Sequence, residues 1–284
     1  MKNLLFIVLL AGGVSLLTHA QERPLHIMVI GAHPDDCDLV AGGTAILYTQ
    51  MGHRVKFISM TNGDAGHQSA GGGALAKRRM MEAREAGKRF GVEYQVMDNH
   101  DGELMPTLEN RLKVIREIRN WEADVVITHP ADDYHPDHRY TSILVQDASF
   151  MVIVPNVAPD TPPLKKNPIF LFPGFSTPDI AVGIDAVFDQ KLYALTAHES
   201  QFFEWLPWTT GTLDQVPADP NERIKFLARR FQPAVEPVRS CLVKWYGKEK
   251  GNEIKFAETF RYTPFGRRPT DDETRKLFPM IGKP

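Results

Sequence analysis

Two short segments of this sequence concentrate residues that can do chemistry. The first is Gly31-Ala32-His33-Pro34-Asp35-Asp36-Cys37-Asp38, with one imidazole and three carboxylates. The second is Asp132-Asp133-Tyr134-His135-Pro136-Asp137-His138, with two imidazoles three residues apart. Crowding anionic groups costs Coulomb energy unless a cation sits among them. A bound divalent metal is the simplest compensation. Together the segments offer two histidine nitrogens and one or two carboxylate oxygens. Zinc in catalytic sites takes three protein ligands of that kind and keeps a position open for water. Either segment alone also reads as a solvated acidic turn, because Asp and Pro are common there. Two such segments, each after an apolar run, favour the metal.

Those apolar runs must bring the segments together. Leu25 to Ile30 ends at Gly31, and Val125 to Thr128 precedes the second segment. Short runs rich in β-branched residues read as buried strands. Similar runs lie at Val55 to Met60, Tyr94 to Met97, Ile169 to Phe172 and Ile180 to Ile184. Between them, Leu108, Leu112, Ile115 and Ile118 form one helical stripe, and Gly73 to Phe90 has helical composition. The alternation predicts an α/β fold with a mainly parallel sheet covered on both faces. Sites in such sheets form beyond the carboxyl ends of strands, where both segments fall. Pro155 to Pro168 carries five prolines and reads as a long surface loop. The stretch from about 196 to 284 reads as a C-terminal elaboration of a single domain spanning 21–284.

Composition narrows the class. The 284 residues are 43% hydrophobic and 24% charged, with net charge −2. That excludes disordered, collagen-like and polytopic membrane chains. Nothing is basic enough to suggest a nucleic-acid partner. The two cysteines, Cys37 and Cys241, are too few for a disulfide scaffold. Lys2, the apolar run Leu4 to Leu17 and Thr18-His19-Ala20 have the layout of a secretory signal peptide over residues 1–20. The run is too short for a membrane span of about 20 residues. Cleavage after Ala20 would leave 264 residues and an exported, periplasmic or secreted, protein.

The pair Ala32-His33-Pro34-Asp35-Asp36 and His135-Pro136-Asp137-His138 strongly resembles the LmbE/PIG-L family of metal-dependent N-deacetylases. Similar segments extend the resemblance from about Leu25 to Gln201. They include Thr61-Asn62-Gly63-Asp64-Ala65-Gly66, the Arg79 to Val92 helix and Ala197-His198-Glu199-Ser200-Gln201. The resemblance implies a Rossmann-like three-layer sandwich. It implies His33, Asp36 and His138 as ligands of Zn2+, with Fe2+ as another candidate metal. Asp35 would be the general base, and His135 would stabilise the oxyanion as imidazolium. Asp137 would orient a ligand histidine from behind. Arg79, three residues before Glu82-Ala83, would contact substrate or a carboxylate of the site. The substrate implied is a small molecule or glycan bearing an N-acetylated amino sugar. Where the family usually has Glu after the paired aspartates, this chain has Cys37, and Asp38 partly replaces that carboxylate.

Other residues carry weaker signals. Arg79 shares a helix face with Leu75, Ala83, Ala86 and Phe90, so it needs an anionic partner. Asp64, His67 and Asp101 read as loop and turn chemistry, and His198 as a core histidine. The aromatic run Phe202 to Trp208 reads as core-capping or as a contact between copies in a homo-oligomer, with sugar stacking as the other choice. Two rival functions remain. One is a non-haem Fe(II) enzyme with a facial triad, and the other is a metal- or glycan-binding module without turnover. The second carboxylate, Asp35, argues against a mere binding module.

Overall fold

The computed structural model describes residues 23–174, 176–231 and 235–282. The segment read as a signal peptide, residues 1–20, lies outside them. The chain runs β1 (His26–Gly31), α1 (Asp36–Gln50), β2 (Arg54–Thr61), α2 (Gly72–Phe90), β3 (Glu93–Asn99), α3 (Leu108–Asn120), β4 (Val125–Thr128) and α4 (Pro136–Met151). Then come β5 (Ile169–Pro173), β6 (Ile180–Gly183) and α5 (Phe188–Leu195). After a π-helical turn at Ser200–Trp205 follow α6 (Leu206–Thr209), α7 (Pro220–Arg230), α8 (Arg239–Tyr246), α9 (Lys248–Glu253), β7 (Ala257–Tyr262) and α10 (Asp271–Leu277).

The strands form one seven-stranded sheet in the order β3-β2-β1-β4-β5-β7-β6. The first five pair in parallel, and β7 pairs antiparallel with both β5 and β6. The expected mainly parallel sheet is therefore present. Alternate residues of each central strand face opposite layers. Ile27, Val29, Val125 and Ile127 join a core with α1, α2 and α5. Met28, Ile30 and Val126 join another with α3 and α4. Burial on both faces explains why these strands read as unbroken apolar runs.

Two features set the frame for the site. Beside β1, the strand order reverses from β2 to β4, and Ile27 to Ile30 lie level with Val125 to Thr128. Such a switch point opens a crevice at the carboxyl edge. The C-terminal segment is also built into the sheet, since β7 lies between β5 and β6. Its Glu258 is buried and pairs with Lys191 of α5 at 2.7 Å. The same carboxylate accepts from the backbone N–H groups of Gly43 and Thr44, at 2.8 and 2.7 Å, in the middle of α1. A charged residue at an inward strand position hid β7 from periodicity.

The proline-rich loop after α4 is organised by one side chain. Arg119, 3% exposed, donates to the carbonyl oxygens of Met151, Val152, Val154, Val157, Ala158 and Thr161 at 2.6–3.0 Å.

Candidate active site

The loop after β1 turns tightly into α1. A Cβ at Gly31 would stand 2.7 Å from Asp36 Cβ, so that position needs glycine. Asp36 Oδ2 accepts from the backbone N–H groups of Ala32 and His33 at 2.9 and 2.7 Å, which fixes the loop. Asp36 and Asp38 occupy the first turn of α1, where the helix dipole favours anions. The loop after β4 turns into α4 with Pro136 at the helix start and His135 as its cap.

Register brings the two loops face to face. His33 Nδ1 lies 3.2 Å from His138 Nε2. Asp36 Oδ2 lies 3.4 Å from the first and 3.5 Å from the second. Tetrahedral ligation with bonds near 2.1 Å requires donor atoms about 3.4 Å apart. The triangle therefore fits a zinc-sized cation.

The surroundings leave His138 and Asp36 with free donor atoms. Asp133 Oδ1 accepts from His138 Nδ1 at 3.0 Å, so Nε2 keeps its lone pair. Burial brings the pKa of His138 down to about 4. Burial opposes ionisation of Asp36, but His129 and His138 outweigh it and hold its pKa well below the usual carboxylate range. Burial likewise opposes charge on His33, but Asp101, Asp137 and Asp36 raise its pKa well above the ordinary value. His33 Nε2 is 3.1 Å from Asp101 Oδ1 and 3.4 Å from Asp137 Oδ2. Neither contact has hydrogen-bond alignment. Asp137 also accepts from the backbone N–H groups of Gly102 and Leu104, so it joins this loop to the one after β3.

Asp35 lines the same cleft but stands outside the triangle. Burial raises its pKa, and the facing Arg79 partly offsets that. Arg79 Nη2 donates to Asp35 Oδ1 at 3.1 Å, and Nη1 donates to Gly63 O at 3.2 Å. Nη1 also lies 3.6 Å from Asp101 Oδ2. At 2% exposure, Arg79 orients carboxylates of the site from behind.

His135 sets its ring edge-on to His33, with centroids 4.6 Å apart. Its Nδ1 accepts the N–H of Asp137 at 3.2 Å, which an imidazolium cannot do. Burial and His33 lower its pKa. The geometry thus differs from the expected imidazolium: His135 is neutral, with Nε2–H as its donor.

Three residues of the cluster have no site role in the sequence reading, and one of them, His129, is not singled out there at all. His129, directly after β4, stacks on His138 at 4.0 Å and sits 3.2 Å from Asp36 Oδ2. Its Nε2 also accepts from Ala32 N at 3.1 Å, which occupies the lone pair a metal would need. Asp133 and Asp101 are the other two. The strand-end rule would have found His129. Asp101 is recognisable only once the loop after β3 is seen folded over His33.

The remaining candidates lie around this centre. Asp64 accepts from Asp101 N and His100, and His67 pairs with Glu204. His198 is fully buried 2.9 Å from Asp38, whose other oxygen accepts from Tyr94. The Cys37 thiol is buried and donates to Val29 O and Ile58 O, so it is packing rather than nucleophile. His33, Asp35, Asp36, Arg79, Asp101, His135 and His138 line a cleft of about 570 Å³, together with Leu39, Gly66, Gln201, Tyr134, Trp205 and Thr209.

The structure is a Rossmann-like α/β sandwich with a histidine–carboxylate cluster that could hold a metal at its switch point. Residues 28–149 match the PIG-L family model, described as GlcNAc-PI de-N-acetylase. It is 28% identical over 250 residues to the diacetylchitobiose deacetylase of Thermococcus kodakarensis, covering 84% of this chain and 83% of that protein. The fold is similar to N,N'-diacetylchitobiose deacetylase from Pyrococcus horikoshii, with TM-score 0.64 and 23% identity over 84% of this chain and 83% of that one. It is also similar to the 4-carboxy-2-hydroxymuconate hydratase from Pseudomonas putida, with TM-score 0.66 and 19% identity over 86% and 98%.

Proposed function

We propose that this protein is a zinc-dependent hydrolase that removes the acetyl group from an N-acetylated amino sugar, and that it is exported before it acts. The observation that carries the reading is the donor triangle beside a separate, buried carboxylate whose pKa is raised. The family match and the deacetylase relative support the reaction class.

A divalent cation held by His33, Asp36 and His138 would supply Lewis acidity toward water and the acetyl carbonyl. The chain's own residues do the rest. Asp35, held by Arg79, takes a proton from the attacking water as its oxygen bonds to the carbonyl carbon. Nε2–H of His135 donates to the developing oxyanion; losing such a donor typically costs about 10²–10³ in rate. Asp35 then delivers its proton to the departing nitrogen as the C–N bond breaks. The products are acetate and the free amino sugar. Asp101, Asp137 and Asp133 keep both ligand histidines oriented throughout.

The test is acetate release from N-acetylglucosamine and diacetylchitobiose, with metal measured by elemental analysis. Acetate release with about one zinc per chain, lost in His138→Ala, is the expected result. No acetate from any N-acetylated sugar would overturn the reading, as would activity without metal. Acetate also separates this chemistry from the water addition named for the hydratase relative. Export is tested by N-terminal sequencing of the natively produced protein. A start at Gln21 is expected, and a retained Met1 overturns it.

A further inference from the structure

The cleft has two walls of separate origin. The donor triangle, Asp35 and His135 come from the loops after β1 and β4 and the first turns of α1 and α4. The second wall is made by Trp205, Leu206 and Thr209, with Ala65 and Gly66 from the loop after β2. The water, base and oxyanion steps use none of those five residues.

The π-helical turn Ser200–Trp205 places the second wall. A π turn holds one residue more than an α turn, which rotates the side chains after it by about 100° round the axis. Phe202 and Phe203 are buried in the core, whereas Trp205 and Leu206 reach the cleft. The start of the turn is held at Ser200, whose backbone N–H and hydroxyl donate to Glu82 at 3.0 and 2.5 Å. Gln201 Nε2 donates to Gly66 O at 3.1 Å, across to the loop after β2.

The end of the turn is held by one carboxylate, Glu204. Arg78 Nη1 and Nη2 donate to its Oε2 and Oε1 at 2.8 and 2.5 Å, the two-pronged pairing that fixes orientation as well as distance. His67 Nδ1 accepts the backbone N–H groups of Ser69 and Ala70 at 3.2 and 3.1 Å. Its proton is therefore on Nε2, which donates to Glu204 Oε2 at 2.8 Å. Arg78, and then His67, hold the pKa of Glu204 below the usual carboxylate range. Glu204 thus ties three segments together: α2, the loop after β2 and the π turn. The helix that holds Asp35 through Arg79 holds the second wall through Arg78.

We propose that Glu204 is a positioning residue: through Arg78 and His67 it fixes Trp205 and Leu206, and with them the width of the cleft that the substrate enters. It governs binding and not bond breaking, because its carboxylate is spent on Arg78 and His67. The inference rests on the deacetylase reading and adds to it the residue that sets the substrate-binding wall.

The test uses the full chain loaded with zinc, carrying Glu204→Ala and His67→Ala singly and together. Acetate release is measured on N-acetylglucosamine and diacetylchitobiose. Glu204→Ala should raise KM about tenfold and leave kcat within about twofold. His67→Ala should raise KM less, and should add nothing in the Glu204→Ala background, because both act through one contact. A fall in kcat, an unchanged KM, or additive effects overturns the assignment. Glu204→Gln, which keeps the size and one acceptor, is held to the same outcomes if Glu204→Ala does not fold. Amide hydrogen exchange is read on the same proteins. Faster exchange over 63–71 and 200–209, with 31–38 and 132–138 unchanged, is expected, and equal exchange overturns the tie. If the wild type releases no acetate, the deacetylase reading falls, and exchange alone decides whether Glu204 holds the wall.

Discussion

The two ends of α4 bury charge in opposite ways. At its start, His33, Asp35, Asp36, Asp101 and Asp137 gather, and His33 Nε2 approaches Asp101 and Asp137 without completing a hydrogen bond. At its end, the guanidinium of Arg119 meets six carbonyl oxygens and no carboxylate. Both arrangements follow the helix dipole, with anions at the amino end and a cation at the carboxyl end. They differ in closure. Arg119 has a neutral acceptor for its donors, so the structure is complete there. The cleft carries an excess of acceptors and lone pairs, which the proposed cation and substrate would take up. Buried charge by itself does not mark a functional site; buried charge with unspent donor atoms does.

The comparison can be broken from either side. The largest effect is expected from Asp35→Ala, which should lower kcat/KM by about 10³-fold or more while metal content stays unchanged. Acetate release and elemental analysis read the two halves of that statement. Next comes Arg119→Met, which removes the one side chain that donates to all six carbonyl oxygens. Stability should fall by about 3 kcal/mol, or roughly 6–12 °C in Tm. Zinc content should stay the same, and cleavage should appear within the 155–168 loop under limited proteolysis. If zinc binding fell too, the two ends of α4 would not be independent.

Asp133→Asn tests the cleft from behind its ligands. Zinc affinity, measured against a competing chelator, should weaken about 10–100-fold with the fold intact. The smallest effect concerns pH. Burial opposes charge on His198, yet Asp38 raises its pKa above the ordinary histidine value of 6.5. A raised folded-state pKa stabilises fully below 6.5, and that stability is lost as pH rises through the folded value. The Tm of the wild type should therefore decline over that range relative to His198→Gln. Parallel curves would mean that the pair is neutral.

The sequence made the two loops legible because each places its reactive residues consecutively at a strand end. His33, Asp36 and His138 needed only the pairing of β1 with β4 to meet. The supporting residues needed more. Asp101 comes from the loop after β3, and its approach to His33 depends on Asp137 holding Gly102 and Leu104. Arg79 reads equally well as facing substrate or carboxylate, and only packing against Gly63 places it behind Asp35. A Cβ at Gly63 would lie 2.4 Å from that guanidinium. The strand β7 was missed because a buried ion pair, Glu258 with Lys191, breaks the apolar pattern that marks strands. The aromatic run was read as one unit because a π-helical turn leaves no sequence period.

The contact between Glu258 and the middle of α1 has a consequence for the order in which the protein is made. The metal loop and α1 leave the ribosome within the first 50 residues. The strand that clamps α1 is synthesised last but one, at 257–262. Until it arrives, the N–H groups of Gly43 and Thr44 lack their carboxylate, and Lys191 lacks its counter-ion. The earliest-written part of the site therefore waits for one of the last elements to clamp its helix, and a chain released short of β7 would carry His33, Asp36 and His138 without that clamp.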